Sequence, residues 1–141
     1  MEVLKPLIEK LVAIVGADYV LTDKTDIGLY DSDAETLDKA APDIVVLPAS
    51  TEQVAAVVKL AAAQKIPISP RGAGTGLSGG STCVRGGISL VLTRMNRVLH
   101  VDPLERLALV EAGATNVSVS QAAAKHNLYF APDPSSQVAS T

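Results

Sequence analysis

The chain has 141 residues, 48% apolar and 19% charged, with a formal net charge of −3. That length suits one domain with a real core, and the composition excludes a disordered chain. The single cysteine, Cys83, excludes an intrachain disulfide and any multi-cysteine metal site, and the lack of a basic stripe or aromatic platform excludes a dedicated nucleic-acid binder.

The first predicted element is a helix. Leu4, Leu7, Ile8, Leu11, Val12 and Val15 recur at helical spacing, and Gly16 stops the run. The start, M-E-V-L-K-P, lacks the basic residues and long apolar stretch of a signal peptide. Apolar runs such as Leu11 to Val15 reach five residues, too few to span a membrane, and a cytosolic location is expected. Asp18 to Pro42 is weakly patterned and acidic, with Asp23, Asp26, Asp31, Asp33, Glu35 and Asp38. Without EF-hand spacing it reads as a solvated connector rather than a metal-binding cluster.

Ile44 to Leu47 is an unbroken apolar strand, as expected of a strand covered on both faces. Ser50 opens S-T-E-Q, a capping-box signature, and a helix continues from Val54 to Ala63 with Val54, Val57, Val58 and Ala61 on one side. Ile66 to Ser69 is a second short strand. Strand, helix and strand with short links predict parallel strands joined by a right-handed crossover. Ile88 to Leu92 reads as a third strand. Val98 to Val101 and Leu107 to Glu111, separated by D-P-L-E-R, read as an antiparallel pair. Asn116 is the expected cap of a helix running to about His126, after which F-A-P-D-P-S-S leads toward Thr141.

Between the second and third strands, Pro70 to Gly80 reads P-R-G-A-G-T-G-L-S-G-G. Seven of the chain's ten glycines fall between Gly72 and Gly87, too dense a cluster to be incidental. Glycine admits positive φ, expected here at Gly76, and lets a ligand approach the main chain. Successive N–H groups in such a loop form an anion-binding concavity, so a phosphate-bearing cofactor is expected. A flexible linker fits poorly, because I-P-I-S and I-S-L-V-L frame the loop as strands. Gly74 to Gly79 matches G-x-G-x-x-G, but the nicotinamide fingerprint must open a helix, and here G-S-T-C-V-R-G-G leads to a strand. No lysine follows these glycines, so the nucleoside-triphosphate P-loop is absent as well.

Four ordered blocks carry a resemblance. They are D-I-V-V-L-P-A-S-T-E-Q-V, I-P-I-S-P-R-G-A-G-T-G-L-S-G-G, L-T-R-M-N-R-V-L-H-V-D-P and A-P-D-P-S-S-Q-V-A-S-T. Together, over about Pro42 to Thr141, they resemble the FAD-binding domain of the vanillyl-alcohol oxidase and p-cresol methylhydroxylase superfamily. Within it the likeness is to the glycolate oxidase FAD-linked subunit and D-lactate dehydrogenase branch. The resemblance implies that Pro70, Arg71, Gly72, Ala73, Gly74, Thr75, Gly76, Leu77, Ser78, Gly79 and Gly80 wrap the FAD pyrophosphate. It implies that Pro132, Asp133 and Pro134 pass near the flavin, and that Ser140 and Thr141 open a second contacting turn. Some relatives attach FAD through a histidine in the glycine loop. The equivalent position here is about Thr75 and the loop has no histidine, so non-covalent FAD is expected.

The family continues after S-T with a G-G-N type turn and a substrate domain. The chain is therefore expected to be an N-terminal piece, with the substrate-binding arginine and histidine beyond Thr141, no catalytic residue of its own and no metal site. Arg71 is expected to be structural or a flavin neighbour rather than catalytic. His100 and His126 read as surface or satisfied polar residues, Cys83 as a small buried hydrophobe, and Met95 as core or flavin-adjacent. The expected division is residues 1–41 as N-terminal helix and connector, and 42–141 as the start of a PCMH-type FAD-binding domain. The expected fold is α/β (α+β): a small parallel βαβ subdomain, then the start of an antiparallel α+β subdomain. The implied parent function is oxidation of a 2-hydroxy acid, glycolate or D-lactate, to the 2-oxo acid. Electrons would pass to an iron–sulfur or other acceptor subunit, in the cytoplasm or peripheral to the inner membrane through such partners. The competing expectations are a non-catalytic cofactor-binding or interaction module and a flavin oxidase of another branch, such as a sugar-lactone oxidase.

Overall fold

A computed structural model describes residues 4–141. Met1, Glu2 and Val3, on which the signal-peptide reading partly rests, lie outside the described residues. In chain order the elements are α1 (Lys5–Val15), β1 (Val20–Leu21), α2 (Lys24–Ile27), β2 (Ile44–Val46), α3 (Thr51–Ala63), β3 (Ile68–Arg71), β4 (Ile88–Val91), β5 (Val98–Asp102), β6 (Leu107–Val110) and α4 (Asn116–Ala124).

Helix α1 forms where the periodicity places it. Pro6 stands in its first turn, where a missing N–H costs nothing, and Gly16 ends it at φ +94° with its N–H donating to Val12 O. Leu7, Leu11 and Val15 are its buried stripe. At the start of α3 the Ser50 hydroxyl accepts the Gln53 N–H, the expected cap. Gln53 does more than the capping box requires. Its Oε1 accepts from Ala49 N at 2.7 Å, and its Nε2 donates to Ile14 O at 3.1 Å, which satisfies a carbonyl left open at the end of α1.

The main sheet has the order β1-β2-β4-β3. β2 and β3 are both parallel to β4, in registers Ile44↔Ile88 and Ile68↔Ile88, while β1 pairs antiparallel with β2. The two strands flanking α3 are therefore parallel, as expected, but not neighbours, because β4 inserts between them. Alternation splits the sheet's side chains between two faces. Ile44, Val46, Ile88 and Leu90 meet Leu7, Leu11 and Val15 of α1 and Val57 and Ala61 of α3. Val45 and Val91 face the other way and pack with Ile27 of α2. Every residue of β2 is buried, which explains its unbroken apolar run.

Two elements shift at both ends. The second strand starts at Ile68, because the Ile66 N–H closes the end of α3 by donating to Ala61 O at 2.9 Å. It extends through Pro70 and Arg71, and proline is tolerated there because β3 is an edge strand. Helix α4 is capped by Thr115, whose hydroxyl accepts Ser118 N, so Asn116 is its first residue. That helix stops at Ala124, short of His126.

The acidic segment is not simply a solvated connector. Asp23 caps α2 by accepting Thr25 N at 2.8 Å, Ile27 enters the core, and Asp33 is only 7% exposed. Beyond the main sheet, β5 and β6 form the expected antiparallel pair, with a register irregularity between Val98 and His100, and α4 packs against it. No helix among the described residues is long and apolar enough to cross a membrane.

Candidate cofactor site

The glycine loop leaves the C-terminal end of β3, the sheet edge at which open α/β folds collect ligands. Positive φ falls on Gly74 (+74°) and Gly79 (+67°). Gly76 does not need it, which corrects the expectation for that position. Among the described residues, no backbone N–H from Ala73 to Ser81 donates to a protein acceptor. The loop is closed at its far side by Thr82 N donating to Gly79 O at 3.1 Å. It walls a cavity of about 410 Å³, together with Asp33, Ser81 and Thr141.

Arg71, the last residue of β3, is buried behind this loop and does not line the cavity. Its Nη1 donates to Ser32 O at 2.7 Å and to Ser81 Oγ at 3.3 Å, and its guanidinium lies 5.5 Å from the centre of the Tyr30 ring. In this position Arg71 is structural, since it ties the loop to the Tyr30 to Ser32 segment.

The C-terminal segment meets the same loop. Ser140 Oγ lies 3.0 Å from Thr75 Oγ1 and 2.6 Å from Ser136 Oγ, and Ser140 O accepts Asn116 N at 2.9 Å. A Cβ added at Gly72 would overlap the Thr141 hydroxyl, so the two segments are in direct apposition. Pro132 and Asp133 are exposed and outside the cavity wall, and Pro134 closes a local turn by accepting Gln137 N. Residues 70–80, Ser140 and Thr141 thus come together, and residues 132–134 do not join them.

Asp33 was not singled out by the sequence. Its Oδ1 accepts Glu35 N at 2.9 Å, and its Oδ2 lies 3.3 Å from the place a Cβ at Gly76 would take. Nothing in the local pattern separates it from the acids around it. His100 and His126 are exposed and outside the cavity wall, Cys83 and Met95 are buried, and no cluster of metal-ligating residues occurs among the described residues. Carboxyl pKa shifts fall elsewhere. The Arg97 guanidinium and then the Arg97 N–H hold Glu111 below its usual range, and the Glu105 N–H does the same for Asp102.

A parallel sheet that releases an N–H-lined glycine loop from its C-terminal edge defines an anion-holding, cofactor-binding α/β domain. Residues 42–141 match the FAD binding domain family, and the chain belongs to it. The chain is 42% identical over 126 residues to the glycolate oxidase subunit GlcD of Escherichia coli K12, covering 89% of this chain and 25% of that protein. It is 35% identical over 133 residues to a D-lactate dehydrogenase of Anaerostipes hadrus, covering 94% and 28%. Among solved structures, p-cresol methylhydroxylase with substrate bound matches with TM-score 0.77 at 30% identity, covering 88% of this chain and 25% of that one. The chain therefore spans about a quarter of the length of these relatives. The mixed α/β architecture and FAD as the family's cofactor follow from these likenesses. The residues present also fit FAD. The loop offers unpaired N–H groups to a diphosphate, and a side chain at Gly72 or Gly74 would strike Thr141 or Arg71.

Proposed function

We propose that this chain is the diphosphate-holding part of a flavin-dependent oxidoreductase of 2-hydroxy acids, and that it binds FAD non-covalently. The observation that carries the reading is the run of unpaired N–H groups from Ala73 to Ser81 around one cavity. Those groups would bind the diphosphate oxygens, as backbone nests do, without any lysine or arginine in the wall. The hydroxyls of Thr75 and Ser140 would add donors where the loop meets the C-terminal segment. Pro132, Asp133 and Pro134, which lie outside the cavity wall, would contact the flavin end of the cofactor rather than its diphosphate. Non-covalent attachment is supported by the absence of histidine from the cavity wall.

The bound flavin supplies the hydride-accepting chemistry, and these residues bind and orient it. The substrate class is supported by relatives named glycolate oxidase subunit, D-lactate dehydrogenase and D-2-hydroxyglutarate dehydrogenase. One of these relatives is a subunit of a larger enzyme, which supports a protein acceptor for the electrons; the location that goes with this reading is cytoplasmic, or peripheral to the inner membrane through such partners. Titration of the 141-residue chain with FAD, followed by flavin fluorescence, tests the reading. Weak, saturable binding, with flavin released to the supernatant on acid precipitation, is expected. No binding, equal binding of NADH, or flavin retained on the denatured chain overturns it.

A further inference from the structure

The cavity wall contains one charged side chain among the described residues, and it is negative. Asp33 is 7% exposed, and the two oxygens of its carboxylate have different surroundings. Oδ1 is held by the Glu35 N–H, while Oδ2 makes no hydrogen bond among the described residues and lies beside Gly76. Arg71 gives Oδ2 no donor: among the described residues its guanidinium donates to Ser32 O and Ser81 Oγ and forms no ion pair with Asp33. A site suited to an anion therefore presents an anionic acceptor.

A carboxylate can only accept hydrogen bonds, and so can an ionised diphosphate. A bare diphosphate would cover Oδ2 without giving it a donor, and like charges would repel. A ligand that carries a hydroxyl beside its diphosphate reverses both effects, because an O–H···O⁻ bond is among the strong ones. We propose that Asp33 reads a polyol hydroxyl of the bound dinucleotide, on its ribityl or ribose arm, and so selects a diphosphate ester over a bare diphosphate. The proposal deepens the reading of this cavity as the FAD diphosphate site and rests on it.

The test uses the 141-residue chain in EDTA. FAD affinity is read by flavin fluorescence, and ADP and inorganic diphosphate are read by displacement. Asp33→Asn keeps an acceptor for the Glu35 N–H but removes the charge, and Asp33→Ala removes both, with circular dichroism confirming the fold of each. The preference for FAD over inorganic diphosphate should fall about tenfold or more in both variants, the scale of a lost charged hydrogen bond. A parallel loss of preference for ADP assigns the ribose arm, and a loss confined to FAD assigns the ribityl arm. An unchanged preference in both variants, or binding that requires added Mg²⁺, overturns the proposal while leaving the FAD site standing. Absence of FAD binding by the wild-type chain overturns the site itself.

Discussion

The guanidinium of Arg71 lies directly behind Gly74: a Cβ at Gly74 would stand 2.6 Å from Arg71 Cζ. Glycine is required there twice over, by positive φ and by the arginine at its back. Gly74→Ala should therefore lower stability by about 1–3 kcal/mol, the usual scale of a strained backbone position. Gly28→Ala is the contrast, since Gly28 has helical φ and open space around it. That change should be neutral or slightly stabilising, and thermal melts of the two variants check the difference.

Arg71→Lys should weaken flavin binding and stability together. Both bonds, to Ser32 O and Ser81 Oγ, come from Nη1, and a shorter lysine lacks the planar guanidinium that sits against the Tyr30 ring and aims that nitrogen, so the tie to the Tyr30 to Ser32 segment would weaken. A stability loss of about 1–3 kcal/mol is expected, measured by urea denaturation alongside FAD titration. Unchanged flavin affinity would show that the loop holds its shape without the arginine.

Gln53 ties the end of α1 to the turn that starts α3. Gln53→Ala would leave Ala49 N and Ile14 O without their partners and undo the contact between the end of α1 and the start of α3. The expected cost is about 1–3 kcal/mol by chemical denaturation, with hydrogen exchange quickening first at the end of α1.

Glu111 and Arg97 close the open end of the β5–β6 hairpin. The Arg97 side chain donates to Glu111 Oε1, and Arg97 N donates to Oε2 at 2.8 Å. The Glu111 carboxyl is held below its usual range chiefly by that guanidinium, so its folded pKa is the lower one. Its contribution to stability is present above the unfolded value and disappears as pH falls through the folded value. Glu111→Gln should thus melt below the wild type at neutral pH, and the two should converge in acid. A gap that persists at pH 2 would assign the effect to packing. Added salt should narrow the neutral-pH gap, because the arginine is largely exposed.

The 141-residue chain should not reduce dichlorophenolindophenol with glycolate or D-lactate, even when loaded with FAD. Its cavity wall holds the glycine loop and, among the described residues, no histidine to take the hydroxyl proton, while His100 and His126 are exposed elsewhere. Dye reduction at a rate that depends on hydroxy-acid concentration would place a substrate base within these residues.

The local elements were legible in the sequence because their causes are local. Helical spacing of Leu7, Leu11 and Val15, the apolar run Ile44 to Val46, the Ser50 cap and the hairpin around D-P-L-E-R each encode their own geometry within a few residues. The glycine cluster likewise marked a loop between two strands, since close-set glycines framed by apolar runs are visible in the sequence itself. Tertiary packing alone decided that β4 inserts between β2 and β3, that Gly74 rather than Gly76 needs positive φ, and that Arg71 reaches Ser32, 39 positions away. It also decided that one acid of an acidic run, Asp33, turns into the cavity. Those outcomes depend on which distant groups meet when the sheet closes. A hydrogen bond or buried charge made across tens of residues leaves no periodicity in the chain.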